Sequence, residues 1–324
     1  MSLGWRIPSY ARSEASARAL LPYSARVEEL GFDGIWVIDH MLVAPNVYST
    51  AWHDPLITLA AVAGVTEKIV LGTSILCAPM RHPVMAAKEV ASLNHYAGGD
   101  RVILGVGTGH DEKELEAVGT FKRERGKRTD EMLDIVSLLL SENDVYYEGK
   151  YYNVNGISLH PRPEKPIPIW IGGGSQVHMA HNFDLPNMAP AVLARIKRHS
   201  GWICRSSGTD RDILKKDINT VTSHLSKERD MGEFTVSHAQ WIHIVDSSNR
   251  EQVIREQLSA YREVMDDERS DEALQLSYLF GTVDELIERI QSIRDYGVQH
   301  LMFNPLVEDV KQVELFAKHI MPNI

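Results

Sequence analysis

Short, wholly apolar runs alternate along this chain with longer stretches whose apolar positions recur every three or four residues. Leu3–Ile7 is the first such run, and Tyr23, Val27 and Leu30, spaced i, i+4, i+7, mark the helix behind it. Gly31 ends that helix, and Gly34–Ile38 is a second strand, apolar throughout as a strand covered on both faces must be. Asp54-Pro55 opens the next helix with an N-cap and a first-turn proline, and Leu56, Leu59, Ala60 and Ala63 form its inner face. Ile69–Ile75 is the third strand, Pro83 starts the third helix, and Val102–Val106 is the fourth strand. Met132, Ile135, Val136 and Leu139 share one side of the long helix that follows. From Val145 to Pro163 the rhythm breaks, and the Tyr, Val and Gly content predicts an inserted hairpin. Ile167–Ile171 is the fifth strand. Gln176 to Pro190 has no periodicity and reads as a long loop, where His178 and His181 could line a pocket. Trp202–Cys204 and Gln240–Val245 are strands six and seven. Thr282 to Glu285 forms a capping box before a helix carrying Leu286, Ile290 and Ile293, and Val298–Phe303 is strand eight.

Strand-then-helix units repeated without a linker predict one α/β domain over residues 1–324, a single (β/α)₈ TIM barrel with an inserted hairpin and a long loop after strand five. Chemistry in such a barrel gathers at the carboxyl ends of the strands. Asp39-His40, Thr73-Ser74, Gly105–His110 and Gly172–Ser175 then converge on one mouth. An acid–imidazole pair at a strand end suits proton transfer, which makes His40 the first catalytic candidate and His110 the second. Gly105-Val-Gly-Thr-Gly109 lets backbone approach a ligand closely, although its spacing is not that of a dinucleotide fingerprint. Gly172-Gly-Gly-Ser175 offers successive amides and a hydroxyl, a concavity suited to phosphate. The expected phosphate ligands are therefore Gly107, Thr108 and Gly109 with Gly173, Gly174 and Ser175. Arg128, from the basic stretch Lys122–Arg128, is their expected cationic partner.

Composition narrows the field. Lys plus Arg is 34 against 44 for Asp plus Glu, a formal charge of −10, which argues against nucleic acid or an anionic membrane as partner. No apolar run reaches the roughly 18–20 residues of a membrane span. Cys77 and Cys204, far apart and outside any CxxC spacing, argue against a disulfide framework and fit a cytoplasmic compartment. Arg6, Arg12 and Arg18 fall in a segment that already reads as strand and helix, not as a leader. The 14 histidines raise a metal-dependent hydrolase, but the first strand carries no His and no HExxH helix occurs, so no metal site is expected. A phosphate-binding lyase or isomerase and a non-catalytic ligand-binding barrel are the other classes. The former would want a Lys or Glu on an inner strand, and none is evident.

Several motifs in fixed order resemble the bacterial-luciferase-like family of flavin and deazaflavin oxidoreductases. They are Leu30-Gly-Phe-Asp-Gly-Ile-Trp-Val-Ile-Asp-His40, Leu71-Gly-Thr-Ser-Ile75, Arg81-His-Pro-Val84, Gly105–Gly109, Glu114 to Gly119, Arg125–Arg128, Pro168–Ser175, Gly281–Leu286 and Tyr296–Leu301. The resemblance implies an enzyme of the monooxygenase type using reduced FMN and O₂ on a small organic substrate, or alternatively a coenzyme F420-dependent hydride-transfer enzyme. It also implies Asp39, Thr73, Ser74 and Ile75 beside the cofactor ring, with a cis peptide between Ser74 and Ile75. A homodimer and a separate flavin or F420 reductase complete the expectation. One departure bears on substrate. The family's F420-dependent sugar-phosphate dehydrogenases often carry an acidic residue after the GVGTG turn, and this chain has His110 there.

Overall fold

A computed structural model describes residues 1–10, 13–43, 49–175, 188–206, 209–265 and 268–324. Eight parallel strands form its core: β1 (Ser2–Arg6), β2 (Gly34–Val37), β3 (Val70–Thr73), β4 (Val102–Gly107), β5 (Ile169–Gly173), β6 (Gly201–Cys204), β7 (Thr235–Ile242) and β8 (His300–Pro305). Each pairs with the next, and β8 returns to β1 with Ser2 opposite His300 and Trp5 opposite Phe303, so the sheet closes into a barrel. Helices lie between successive strands, as the alternation of patterns predicted.

The local signals act as read. The Asp54 carboxylate accepts from the Leu56 amide at 2.9 Å, and the Thr282 amide donates to the Glu285 carboxylate at 2.8 Å, so both helices start where their caps stand. The inserted segment is an antiparallel hairpin of Val145–Glu148 and Asn153–Ile157. Three expectations need correction. The third strand stops at Thr73, because the Ser74–Ile75 peptide is cis and turns the chain before Leu76–Cys77 rejoins β4. The seventh strand is Thr235–Ile242 instead of Gln240–Val245. Its polar first half is buried, and the Ser237 hydroxyl donates to the Trp202 carbonyl at 2.9 Å, so apolarity alone missed its start. After strand five, Pro190–Lys197 is a helix, so the expected loop ends one residue early; residues 176–187, with His178 and His181, lie outside the described residues.

The barrel interior decides where a ligand can sit. Trp36 from β2 and Trp170 from β5 stack across it with ring centroids 5.2 Å apart, joined by Ile203, Ala239 and Met302. The neighbouring strand β3 makes room by omitting a side chain: a Cβ on Gly72, in register with Trp36, would stand 2.3 Å from its ring. The interior is thus filled from within, and a cavity opens at the carboxyl ends of the strands.

Candidate active site

Above this plug the strand ends enclose a cavity of about 260 Å³. Arg6 reaches it from β1. Asp39 and His40 follow β2, Ser74 and Ile75 follow β3, and Gly107 to His110 end β4. Gly172 and Gly173 come from β5, and Arg205 from the end of β6. Ile75 forms a ledge at the centre. A Cβ on Gly107 would fall 2.6 Å from its Cδ1, and one on Gly172 would fall 2.5 Å from its Cγ2. Only glycine at these two positions lets both strands approach the isoleucine so closely.

His40 is held from behind. Its Nδ1 lies 3.1 Å from Oε2 and 3.3 Å from Oε1 of Glu114, which opens the short helix Glu112–Ala117 after β4. Glu114 is 2% exposed, and its Oε1 also accepts the amides of Met41 at 2.6 Å and Leu42 at 2.9 Å. Burial alone would raise the Glu114 carboxyl, but the bonds from His40 and the two amides outweigh it and hold the group below the ordinary carboxylate range. His110 meets His40 edge to face, with ring centroids 5.5 Å apart. Burial, with the neighbouring His40 ring adding to it, pushes His110 down to about 4, so it is neutral near pH 7.

The remaining expected site residues divide. Asp39 points a carboxylate away from proton chemistry: it takes both Arg81 nitrogens and the Cys77 amide, and burial raises it despite that arginine. Thr73 gives its hydroxyl to the Gly105 carbonyl at 2.7 Å. Ser74 accepts Arg6 through both its carbonyl, at 2.9 Å, and its hydroxyl. Ser175 is fully engaged by Asp217, its amide at 2.7 Å and its hydroxyl at 2.5 Å, and Gly174 stands between Asp217 and Arg205. Arg128 does not reach the cavity. Its guanidinium lies over the Tyr151 ring at 4.6 Å and pairs with Glu124 at 3.3 Å, because its helical position turns it toward the hairpin.

Three residues that the sequence reading did not single out bear on this site. Arg125, one turn before Arg128 and like it not a lining residue of the cavity, has a buried Nη1 with no partner among the described residues, and burial lowers its guanidinium. Burial also lowers Arg205, and the nearby Arg125 adds to the effect. Arg205 directly follows the sixth strand, a position the strand-end rule covers. Glu114 lay within a familial motif without a role. Among the described residues, no group of three or more His, Cys, Asp or Glu side chains is placed to hold a metal ion, and no helix is long and apolar enough to cross a membrane.

Comparison with known proteins bears on this geometry. Residues 1–183 match the model of the luciferase-like monooxygenase family. The F420-dependent glucose-6-phosphate dehydrogenase of Microbacterium testaceum is 28% identical, with 94% of this chain and 93% of that one covered. Its counterpart in Kineococcus radiotolerans is 26% identical over 95% of each chain. In fold, the chain is similar to an F420-dependent secondary alcohol dehydrogenase solved with an F420–acetone adduct (TM-score 0.81, 18% identity, 99% and 98% covered). It is also similar to a monooxygenase from Streptomyces bottropensis (TM-score 0.77, 20% identity, 99% of each chain). The parallel barrel, the ledge between two glycines and the histidines at its mouth thus belong to an oxidoreductase, and this chain is a member of the luciferase-like monooxygenase family.

Proposed function

We propose that the protein is a coenzyme F420-dependent oxidoreductase that interconverts a small alcohol and its carbonyl compound. This reading puts the deazaflavin ahead of reduced FMN and O₂. It is supported by the relatives matched along almost the whole chain, which are F420-dependent dehydrogenases. The observation that carries it is His40 at the cavity, backed by Glu114 at 3.1 Å and beside the Ile75 ledge.

The residues present fit such a cofactor. The ledge and the bare backbone of Gly107 and Gly172 form a cradle that any Cβ would fill. The orphaned Nη1 of Arg125, with Arg205 close enough to repel it, suits the cofactor's phosphate. We assign the phosphate to these arginines with the amides of Gly107, Thr108, Gly109 and Gly173, in place of Arg128 and Ser175. F420, when bound, supplies two-electron hydride chemistry at carbon. The chain supplies the proton path. His40 Nε2 takes the hydroxyl proton as the alcohol becomes a carbonyl and returns it in reverse. Neutral His110, beside it, orients the same oxygen. Two imidazoles whose surroundings differ in this way divide the roles of base and hydrogen-bonding partner.

Titration of the purified protein with F420 and, separately, with FMN tests the reading. Saturable binding of F420, with anaerobic bleaching of its absorbance on adding a secondary alcohol, is the expected result. Binding of FMN alone, with substrate-dependent oxygen consumption once an added reductant has reduced the flavin, would overturn it.

A further inference from the structure

Resting on His40 as the proton acceptor, we infer that Glu114 is a positioning residue that fixes the ring tautomer of His40 and so makes Nε2 the nitrogen that takes the substrate proton. An ionised carboxylate only accepts hydrogen bonds. A carboxylate 3.1 Å from Nδ1 therefore requires the proton on Nδ1, so that in the neutral ring the lone pair is on Nε2. His40 lines the cavity and Glu114 does not. Two donors other than His40 also anchor the Glu114 carboxylate, since its Oε1 accepts the Met41 and Leu42 amides, and the Glu114 amide donates to the Asp111 carboxylate at 2.9 Å.

The alternative role, a plain structural clamp on the 40–42 turn, needs only Oε1. The second oxygen distinguishes the two. It serves no described donor other than Nδ1 of His40, and it is the nearer of the pair to that atom. Among the described residues, Asp39 is engaged by Arg81 and the Cys77 amide, and neutral His110 meets the His40 ring edge to face.

This division makes Glu114→Gln a sharp probe. The two amides bond one oxygen, so the glutamine carbonyl stays on them and the new NH₂ faces Nδ1. That NH₂ only donates, so Nδ1 must become the acceptor and the proton moves to Nε2, where it blocks the base. The amide anchors survive, and the fold with them. The measurement is ¹⁵N-histidine NMR on the cofactor-free protein, with the His40 signals identified by their loss in His40→Ala. Turnover and F420 affinity are measured alongside.

The wild type is expected to show the Nδ1–H form and Glu114→Gln the Nε2–H form. With the switch, kcat should fall by roughly 10²- to 10⁴-fold, the usual contribution of a general base, while the F420 dissociation constant stays within about threefold. A wild type in the Nε2–H form overturns the inference whatever the variant does. So does a variant that keeps Nδ1–H, or one that switches tautomer with kcat unchanged. Because the tautomer is read without cofactor, failure of F420 to bind would refute the cofactor assignment and leave this test intact.

Discussion

In an Arg125→Gln variant the affinity for F420 should fall while the cofactor-free protein is no less stable. The arginine sits in the first turn of the helix Arg125–Ser141, with Nη1 buried and without an acceptor among the described residues. Burial already holds its guanidinium below the usual arginine range. Removing the charge from the empty site therefore removes a cost and breaks no described bond of that nitrogen. With the cofactor present, a hydrogen bond to a charged group is worth about 1.5–3 kcal/mol, or roughly 10- to 150-fold in Kd. Partial exposure of this turn favours the lower part of that range, about 10- to 30-fold. Equilibrium titration by F420 fluorescence gives the Kd, and urea unfolding of the empty protein gives the stability. Arg128→Gln is the internal comparison, expected to move Kd less than about twofold, since that guanidinium lies on Tyr151 and pairs with Glu124. Equal losses in the two variants, or an unmoved Kd in Arg125→Gln, would refute the assignment of the phosphate to Arg125.

His40→Ala should lower kcat by roughly 10²- to 10⁴-fold with F420 binding retained; steady-state kinetics at saturating F420 show this directly, and unchanged turnover removes His40 from the reaction. Gly172→Ala places a methyl 2.5 Å from Ile75, so cofactor affinity should drop with the fold intact, read as a raised Kd beside an unaltered circular dichroism spectrum. Gly72→Ala drives a methyl into Trp36 in the closed interior and should cost about 1–3 kcal/mol of stability in urea. Acid should also destabilise the protein. Burial pushes His110, His199, His238 and His300 down to about 4, so from about pH 6.5 to about pH 4 the unfolded chain takes protons that the folded one refuses. Each contributes up to about 1.4 kcal/mol per pH unit in that window. Asp39 and Asp217, raised by burial, act in the opposite sense and blunt the slope. A urea midpoint no lower at about pH 5 than at about pH 7.5 would contradict this balance.

Hydrophobic period and cap chemistry, which are properties of neighbouring residues, determined the barrel on their own. Strands buried on both faces must be apolar, and helices that cover them must show a stripe, so the alternation was legible from Leu3 to Phe303. The same rule located His40 and the two glycine turns, because strand ends mark the mouth. It misplaced the start of β7, where Ser237 and His238 are buried and polar. Tertiary structure alone decided how the polar side chains are used. Glu114 is 74 residues from His40, and Asp217 is 42 from Ser175; no local spacing couples either pair. Arg125 and Arg128 look alike in one basic run, yet three residues along a helix leave one with a buried, unpartnered Nη1 among the described residues and put the other onto the hairpin tyrosines. Backbone periodicity is written in a window of a few residues, whereas the partner of a buried charge is set by which strand ends the closed barrel brings together.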